Sequence, residues 1–118
     1  MNSKEAVVSY QFAERSKAEL IIASRMLAAL HDFKGAERYG AEKILSLTMG
    51  AYSSDLAFAL KATSAQDFQT AIEHLGEAIS LLENGEPEKA TAKVAEAVTA
   101  TVNVAQEALQ VLSEHELI

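Results

Sequence analysis

Three short breaks divide this chain into four long segments of helix-forming residues, and this punctuation constrains the fold more than any other feature. The chain holds one proline and five glycines among 118 residues, so a sharp turn has few places to form. No segment alternates polar and apolar residues between turn signals, as a strand would. The pattern predicts helices over residues 3–30, 36–62, 65–83 and 87–114.

The boundaries of the second hairpin carry recognisable end signals. Ser64 is expected to cap the third helix, with Asp67 three residues later favouring the positive end of the helix dipole. Asn84 and Gly85 suit a left-handed C-cap. Pro87 suits the first turn of a helix, where a missing N–H costs no hydrogen bond. These signals predict a tight turn between the third and fourth helices.

Length and composition then select the architecture. A chain of 118 residues with 49% hydrophobic and 23% charged residues has the balance of one globular domain. Cysteine is absent, so disulfides and thiolate chemistry are excluded. Short connections make consecutive helices antiparallel neighbours. The sequence therefore predicts an all-α fold, an antiparallel up-down-up-down four-helix bundle built from two αα-hairpins, with residues 1–118 in one domain.

The second helix is apolar around more of its circumference than one bundle face requires. Its main stripe consists of Ala41, Leu45, Thr48, Met49, Tyr52, Leu56, Ala59 and Leu60. A second strip beside it consists of Ile44, Leu47, Ala51 and Phe58. Since no helix is central in a four-helix bundle, the second strip either meets another subunit or is tucked inward by a distorted bundle. Both interpretations stay open at this point.

The fourth helix is expected to be longer than the third by several turns. If the two helices meet at their shared turn, the end of the fourth projects beyond the bundle and exposes Leu109, Val111 and Leu112. Exposed apolar residues at such an end would need a partner. The competing interpretation is a frayed and harmless helix end.

Two acidic residues fall on or beside apolar faces. Asp55 lies inside the widened apolar arc of the second helix, where a carboxylate needs a raised pKa or a basic partner such as Arg15, Arg25 or Arg38. Glu19 lies at the edge of the stripe of the first helix, four residues after Arg15. We expect both acids to form ion pairs at an interface or between helices.

Two pairs of residues offer the little chemistry that the sequence contains. Arg25 precedes His31 by six residues, and this spacing resembles the Arg-x(4–6)-His signature of HEPN-class ribonucleases, which are small helical domains. The resemblance is confined to these two residues and implies that they form a catalytic pair. His74 and Glu77 lie three residues apart on the third helix and could share a metal ion. The Glu-x-x-His motif of di-iron bundles is absent.

Charge is divided unevenly between the halves of the chain. Residues 1–63 carry eight basic and seven acidic side chains, whereas residues 64–118 carry two basic and ten acidic ones. This balance disfavours nucleic acid and membrane surfaces as partners. Neither an apolar leader nor a membrane-spanning run is apparent, so we expect a cytoplasmic protein.

The sequence predicts a non-enzymatic, self-associating scaffold or adaptor, with a homodimer as the expected oligomer. No catalytic residue, cofactor or metal ligand is predicted. The alternative is a small HEPN-type ribonuclease or a metal-dependent enzyme that uses the pairs named above. The predicted interface residues are Ile44, Leu47, Ala51, Asp55, Phe58, Leu109, Val111 and Leu112.

Overall fold

Four α-helices account for most of the chain in the computed structural model, which describes residues 1–118. They are α1 (Ser3–Ala29), α2 (Gly35–Thr63), α3 (Gln66–Glu83) and α4 (Pro87–Glu114). A single 3-10 turn over Leu30–Asp32 follows α1, and there is no strand. The predicted all-α four-helix bundle is confirmed. None of the helices is both long enough and apolar enough to span a membrane.

The helices form a ring in chain order. Helix α1 packs against α2 and α4, and α3 packs against the same two helices, whereas no Cα atoms of the diagonal pairs lie within 8 Å of each other. His31 at the end of α1 lies near Glu88 at the start of α4, so these two helices run antiparallel. The resulting rod measures 55 × 22 × 17 Å. Each helix therefore keeps one long side free of neighbours.

The core follows the apolar stripes of all four helices. Its largest fully buried side chains are Phe68, Leu20, Leu27, Leu45, Met49, Leu56, Leu75, Leu82, Val94 and Val104. Each such side chain contributes about 1.5–3 kcal/mol of burial free energy relative to an exposed position. Alanines fill many of the remaining core positions of α3 and α4, and their small side chains let the helices of this hairpin approach closely.

Three of the four helices are followed by a residue in the left-handed backbone region: Ser64 after α2, Gly85 after α3 and Glu116 after α4. Gly85 has a φ of 76°, and the Glu86 N–H donates to the Leu81 carbonyl in the predicted turn. Ser64 adopts the same left-handed region, with a φ of 59°, and ends α2 by donating its N–H to the Leu60 carbonyl. The predicted role of Ser64 as the cap of α3 is therefore wrong: Ala65 holds that position and makes no side-chain bond.

The predicted projection of α4 beyond the bundle is also wrong. Helix α1 has 27 residues and α4 has 28, so the first turns of α1 cover the last turns of α4. Leu112 is only 6% exposed and packs with Ala6 and Ala108 in a small second core, against which Val111 also packs. Leu112 is therefore an internal residue of the bundle and not part of an exposed end. Leu109 alone of the three predicted residues is exposed.

Candidate functional site on the α1/α2 face

The most unusual surface of the molecule is an uncovered apolar strip along α2. We define the α2 strip as Ile44, Leu47, Ala51 and Phe58. Ile44 is 62% exposed, Leu47 77% and Phe58 65%, and Ala51 is exposed as well. Asp55 is the only charged residue between positions 44 and 60. The bundle does not tuck this strip inward, so the residues that the sequence singled out lie on the surface.

Helical geometry explains why the strip is outside. The buried face of α2 is made by Leu45, Met49, Leu56 and Ala59. Each residue of an α-helix is rotated by about 100° from the one before it, so positions 44, 47, 51 and 58 fall on a different side of α2. Helices α1 and α3 are the only helical neighbours of α2, and neither covers that side. The strip is therefore a consequence of an apolar pattern wider than one bundle face.

A cleft between α1 and α2 borders the strip at Phe58. Its lining residues are Phe12, Arg15, Ser16, Glu19, Asp55 and Phe58. The rings of Phe12 and Phe58 meet with centroids 5.9 Å apart and planes tilted by 50°. This geometry is favourable for an aromatic pair. It also holds the Phe58 ring in place at the surface.

Three charged side chains meet in this cleft. Arg15 Nε lies 3.5 Å from Glu19 Oε1, and Arg15 Nη2 lies 3.9 Å from Asp55 Oδ2. Of the three arginines considered as partners for Asp55, the structure therefore places Arg15 beside it. Arg38 bonds instead to Glu42, 3.1 Å away. We call Arg15, Glu19 and Asp55 the carboxylate cluster.

Within the carboxylate cluster, Glu19 is the more buried acid. Its side chain is 16% exposed, against 45% for Asp55. Its Oε1 atom is buried and has no hydrogen-bond partner. Burial, reinforced by the adjacent Asp55 carboxylate, raises the pKa of Glu19 from 4.5 to about 7, and the nearby Arg15 only partly opposes that rise.

The carboxylate cluster also affects the pKa of Tyr52. Burial raises the pKa of its hydroxyl, and the negative charges of Glu19 and Asp55 raise it further.

Of the two acids, the sequence indicated Asp55 more clearly, because that residue interrupts the apolar arc. The signal for Glu19 was weaker: its position at the edge of the α1 stripe, where the depth of burial depends on how closely α2 approaches.

A second groove lies at the opposite end of the strip. It has a volume of about 500 Å³, is open to solvent, and is lined by Tyr39, Glu42, Lys43, Ser46, Leu47, Leu82 and Glu83. Lys43 Nζ lies 5.4 Å from the centre of the Tyr39 ring, within cation–π range. Ser46 Oγ donates to Glu83 Oε1 at 3.0 Å and ties α2 to α3. Leu47 belongs to both the groove and the strip, so the two surfaces are continuous.

The residues considered for chemistry are arranged differently. Arg25 and His31 share no hydrogen bond, and His31 Nε2 lies 3.7 Å from Glu88 Oε1 on α4. Both side chains lie on the exposed surface at the end of α1.

His74 belongs to a network of charges between α3 and α4. Its Nδ1 lies 3.0 Å from Glu96 Oε2 and 3.4 Å from Glu77 Oε1. The Lys93 ammonium lies 3.2 Å from Glu77 Oε2 and 3.3 Å from Glu96 Oε2. The two carboxylates are therefore already paired with a lysine. No group of three or more acidic or histidine side chains is arranged to hold a metal ion.

Comparison with known proteins identified no relative of this chain. No protein-family model, no curated protein and no solved structure matches this chain. The proposed function therefore rests on the geometry of the α1/α2 face.

Proposed function

We propose that this protein is a self-associating helical scaffold whose copies pair through the α2 strip. The observation that carries this proposal is the exposure of large apolar side chains on a stretch of α2, residues 44–60, that has one charged residue in 17. Keeping such a surface in water is unfavourable, and contiguous patches of this kind mark interaction sites. We further propose that this assembly is cytoplasmic, in line with the expectation from the sequence.

A second copy of the chain fits this face because three residues of the strip, together with the neighbouring Ser54, have the same spacing in both directions. Leu47, Ala51, Ser54 and Phe58 are separated by four, three and four residues. When two α2 helices run antiparallel about a two-fold axis, Leu47 of each copy meets Phe58 of the other. Ala51 and Ser54 then meet at the centre, where small side chains let the helices approach to 8–10 Å.

The polar groups near this seam do not oppose its burial. The Ser54 hydroxyl donates to the Gly50 carbonyl at 3.3 Å, so its hydrogen bond is made within the helix. Asp55 lies beside the seam and has Arg15 as its partner. Lys43 and Lys61 lie near the two ends of the strip. Sliding one copy by a helical turn in one direction would place Lys43 of one copy against Phe58 of the other, so the proposed register is favoured over that one.

The available area suits a dimer of moderate affinity. The three large side chains of the strip expose on the order of 400 Å² of apolar surface. A standard stable interface buries about 800 Å² on each partner. Phe12 and the aliphatic part of Arg15 lie beside the strip and supply further contact area. We therefore expect association in the micromolar range.

Sedimentation velocity over a range of protein concentrations tests the proposal. The wild type is expected to shift from monomer to dimer, and Leu47→Asp is expected to remain monomeric at the same concentrations. Ile21→Asp is the matched control, because Ile21 is an exposed apolar residue of α1 outside the strip. Ile21→Asp also changes the net charge by the same amount as Leu47→Asp, and Glu73→Lys on α3 tests a charge reversal away from the strip. A wild type that stays monomeric at high micromolar concentration would refute the proposal.

No observation in the structure favours the enzymatic alternatives. Arg25 and His31 share no hydrogen bond, and the carboxylates near His74 are paired with Lys93.

A further inference from the structure

The carboxylate cluster lies beside the seam through which two copies are proposed to pair. Glu19 belongs to α1 and Asp55 to α2, and one guanidinium, that of Arg15, serves both acids. With both acids ionised, the cluster holds two negative charges and one positive charge. The Glu19 Oε1 atom has no hydrogen-bond partner. The cluster thus carries an excess negative charge at the edge of an apolar contact surface.

We propose that the carboxylate cluster is a proton-operated control of self-association: copies pair tightly when the Glu19/Asp55 pair holds a proton and weakly when both acids are ionised. This inference rests on the proposed function. It goes further by assigning the regulating ligand, the proton, and the residues that bind it.

Symmetry explains why the cluster affects pairing. A two-fold axis between antiparallel α2 helices preserves the side on which α1 lies, so both clusters fall on the same side of the seam. Four carboxylates and two guanidinium groups then share a surface that loses water on association. Like charges that approach in a dehydrated surface repel one another strongly. One proton for each cluster removes the excess negative charge.

The groups that set the protonation of Glu19 come from two helices. Arg15 acts on its carboxylate from α1 and Asp55 from α2. Tyr52 on α2 faces the same cluster, and its own pKa is raised by burial and by the charges of Glu19 and Asp55. Helix α4, which packs on the other side of α1, contributes no charged group to this environment.

The pH window follows from the pKa of Glu19. Because that pKa is about 7 in the single bundle, the acid is protonated below this pH and ionised above it. Pairing favours the protonated form, so association takes up protons at and above neutral pH. The dissociation constant is therefore expected to be nearly constant in mildly acidic solution and to increase once the pH exceeds about 7.

The test is the dissociation constant of the full chain at about pH 6 and about pH 8.5, at fixed ionic strength, for the wild type and Glu19→Gln. The wild type is expected to bind itself at least about tenfold more weakly at the higher pH, which corresponds to a net uptake of one proton per dimer over one pH unit, half of what the two clusters together can take up. Glu19→Gln removes the ionising group and is expected to pair equally well at both pH values. Asp55→Asn is expected to reduce the pH dependence in the same direction.

Three outcomes are informative. A wild-type dissociation constant that is the same at both pH values overturns the inference and leaves the scaffold proposal standing. The same holds if Glu19→Gln retains the full pH dependence, since that dependence then comes from a group outside Glu19. Absence of pairing at both pH values overturns the scaffold proposal together with this inference.

Discussion

Replacing Glu19 with glutamine is expected to stabilise the protein at pH 8 and to leave its stability nearly unchanged at pH 5. Glu19 is 84% buried on its side chain, and its Oε1 atom lacks a hydrogen-bond partner. Its pKa is about 7 in the folded protein, against an ordinary value of 4.5. The folded protein therefore retains a proton that the unfolded chain releases as the pH increases.

The sign and size of the effect follow from this difference in proton binding. Between about pH 4.5 and 7 the folded state holds the proton and the unfolded state does not, so the free energy of unfolding falls as the pH rises. The whole difference corresponds to at most about 3 kcal/mol, at 1.36 kcal/mol for each pKa unit. Glutamine has nearly the same shape and no charge. We expect the variant to exceed the wild type by about 1–3 kcal/mol at pH 8.

Urea unfolding followed by circular dichroism measures this difference. Wild type and variant are compared at pH 5 and pH 8, at low and high protein concentration, so that any contribution from dimer formation is separated. Glu14→Gln is the control: its salt bridge with Lys17 lowers the pKa of Glu14, so that variant is expected to lose a little stability at pH 8. If the stability difference between wild type and Glu19→Gln is equal at both pH values, folding does not raise the pKa of Glu19 and the prediction is wrong.

The helix ends provide a further prediction. Ser64 has a φ of 59°, a conformation that costs a residue with a Cβ atom about 1 kcal/mol, so Ser64→Gly is expected to stabilise the protein by up to that amount in thermal unfolding. Gly85→Ala is expected to have the opposite effect by a similar amount, because Gly85 has a φ of 76° and an added Cβ would be strained. A stabilising Gly85→Ala or a destabilising Ser64→Gly would contradict the assignment of these residues as left-handed caps.

Local features of the fold were predictable from the sequence. Pro87, Asn84 and Gly85 act through their own backbone preferences, so the turn between α3 and α4 could be read directly. The strip of Ile44, Leu47 and Phe58 was also visible, because helical periodicity decides which residues share a side.

Features that depend on how helices sit against one another were not predictable. Leu112 is buried because α1 extends to the end of α4. The axial offset between two helices cannot be predicted from a local sequence pattern. Ser64 precedes α3 and follows α2, and its side chain suits either role, so the backbone conformation decides. The burial of Glu19 depends on its distance from α2. Each of these outcomes is set by tertiary packing.

Disulfide cross-linking is the most direct test of pairing through the α2 strip. The chain has no cysteine of its own, so a single introduced cysteine is the only thiol in each copy. Antiparallel pairing through the seam places the two Ala51 Cα atoms on the order of 6 Å apart, within disulfide range. Ala95, an exposed alanine of α4, lies on a different helix and serves as the control. We predict that Ala51→Cys forms a disulfide-linked dimer at micromolar concentration under mild oxidation, whereas Ala95→Cys stays monomeric. Equal cross-linking of the two variants, or none at Ala51→Cys, would contradict it.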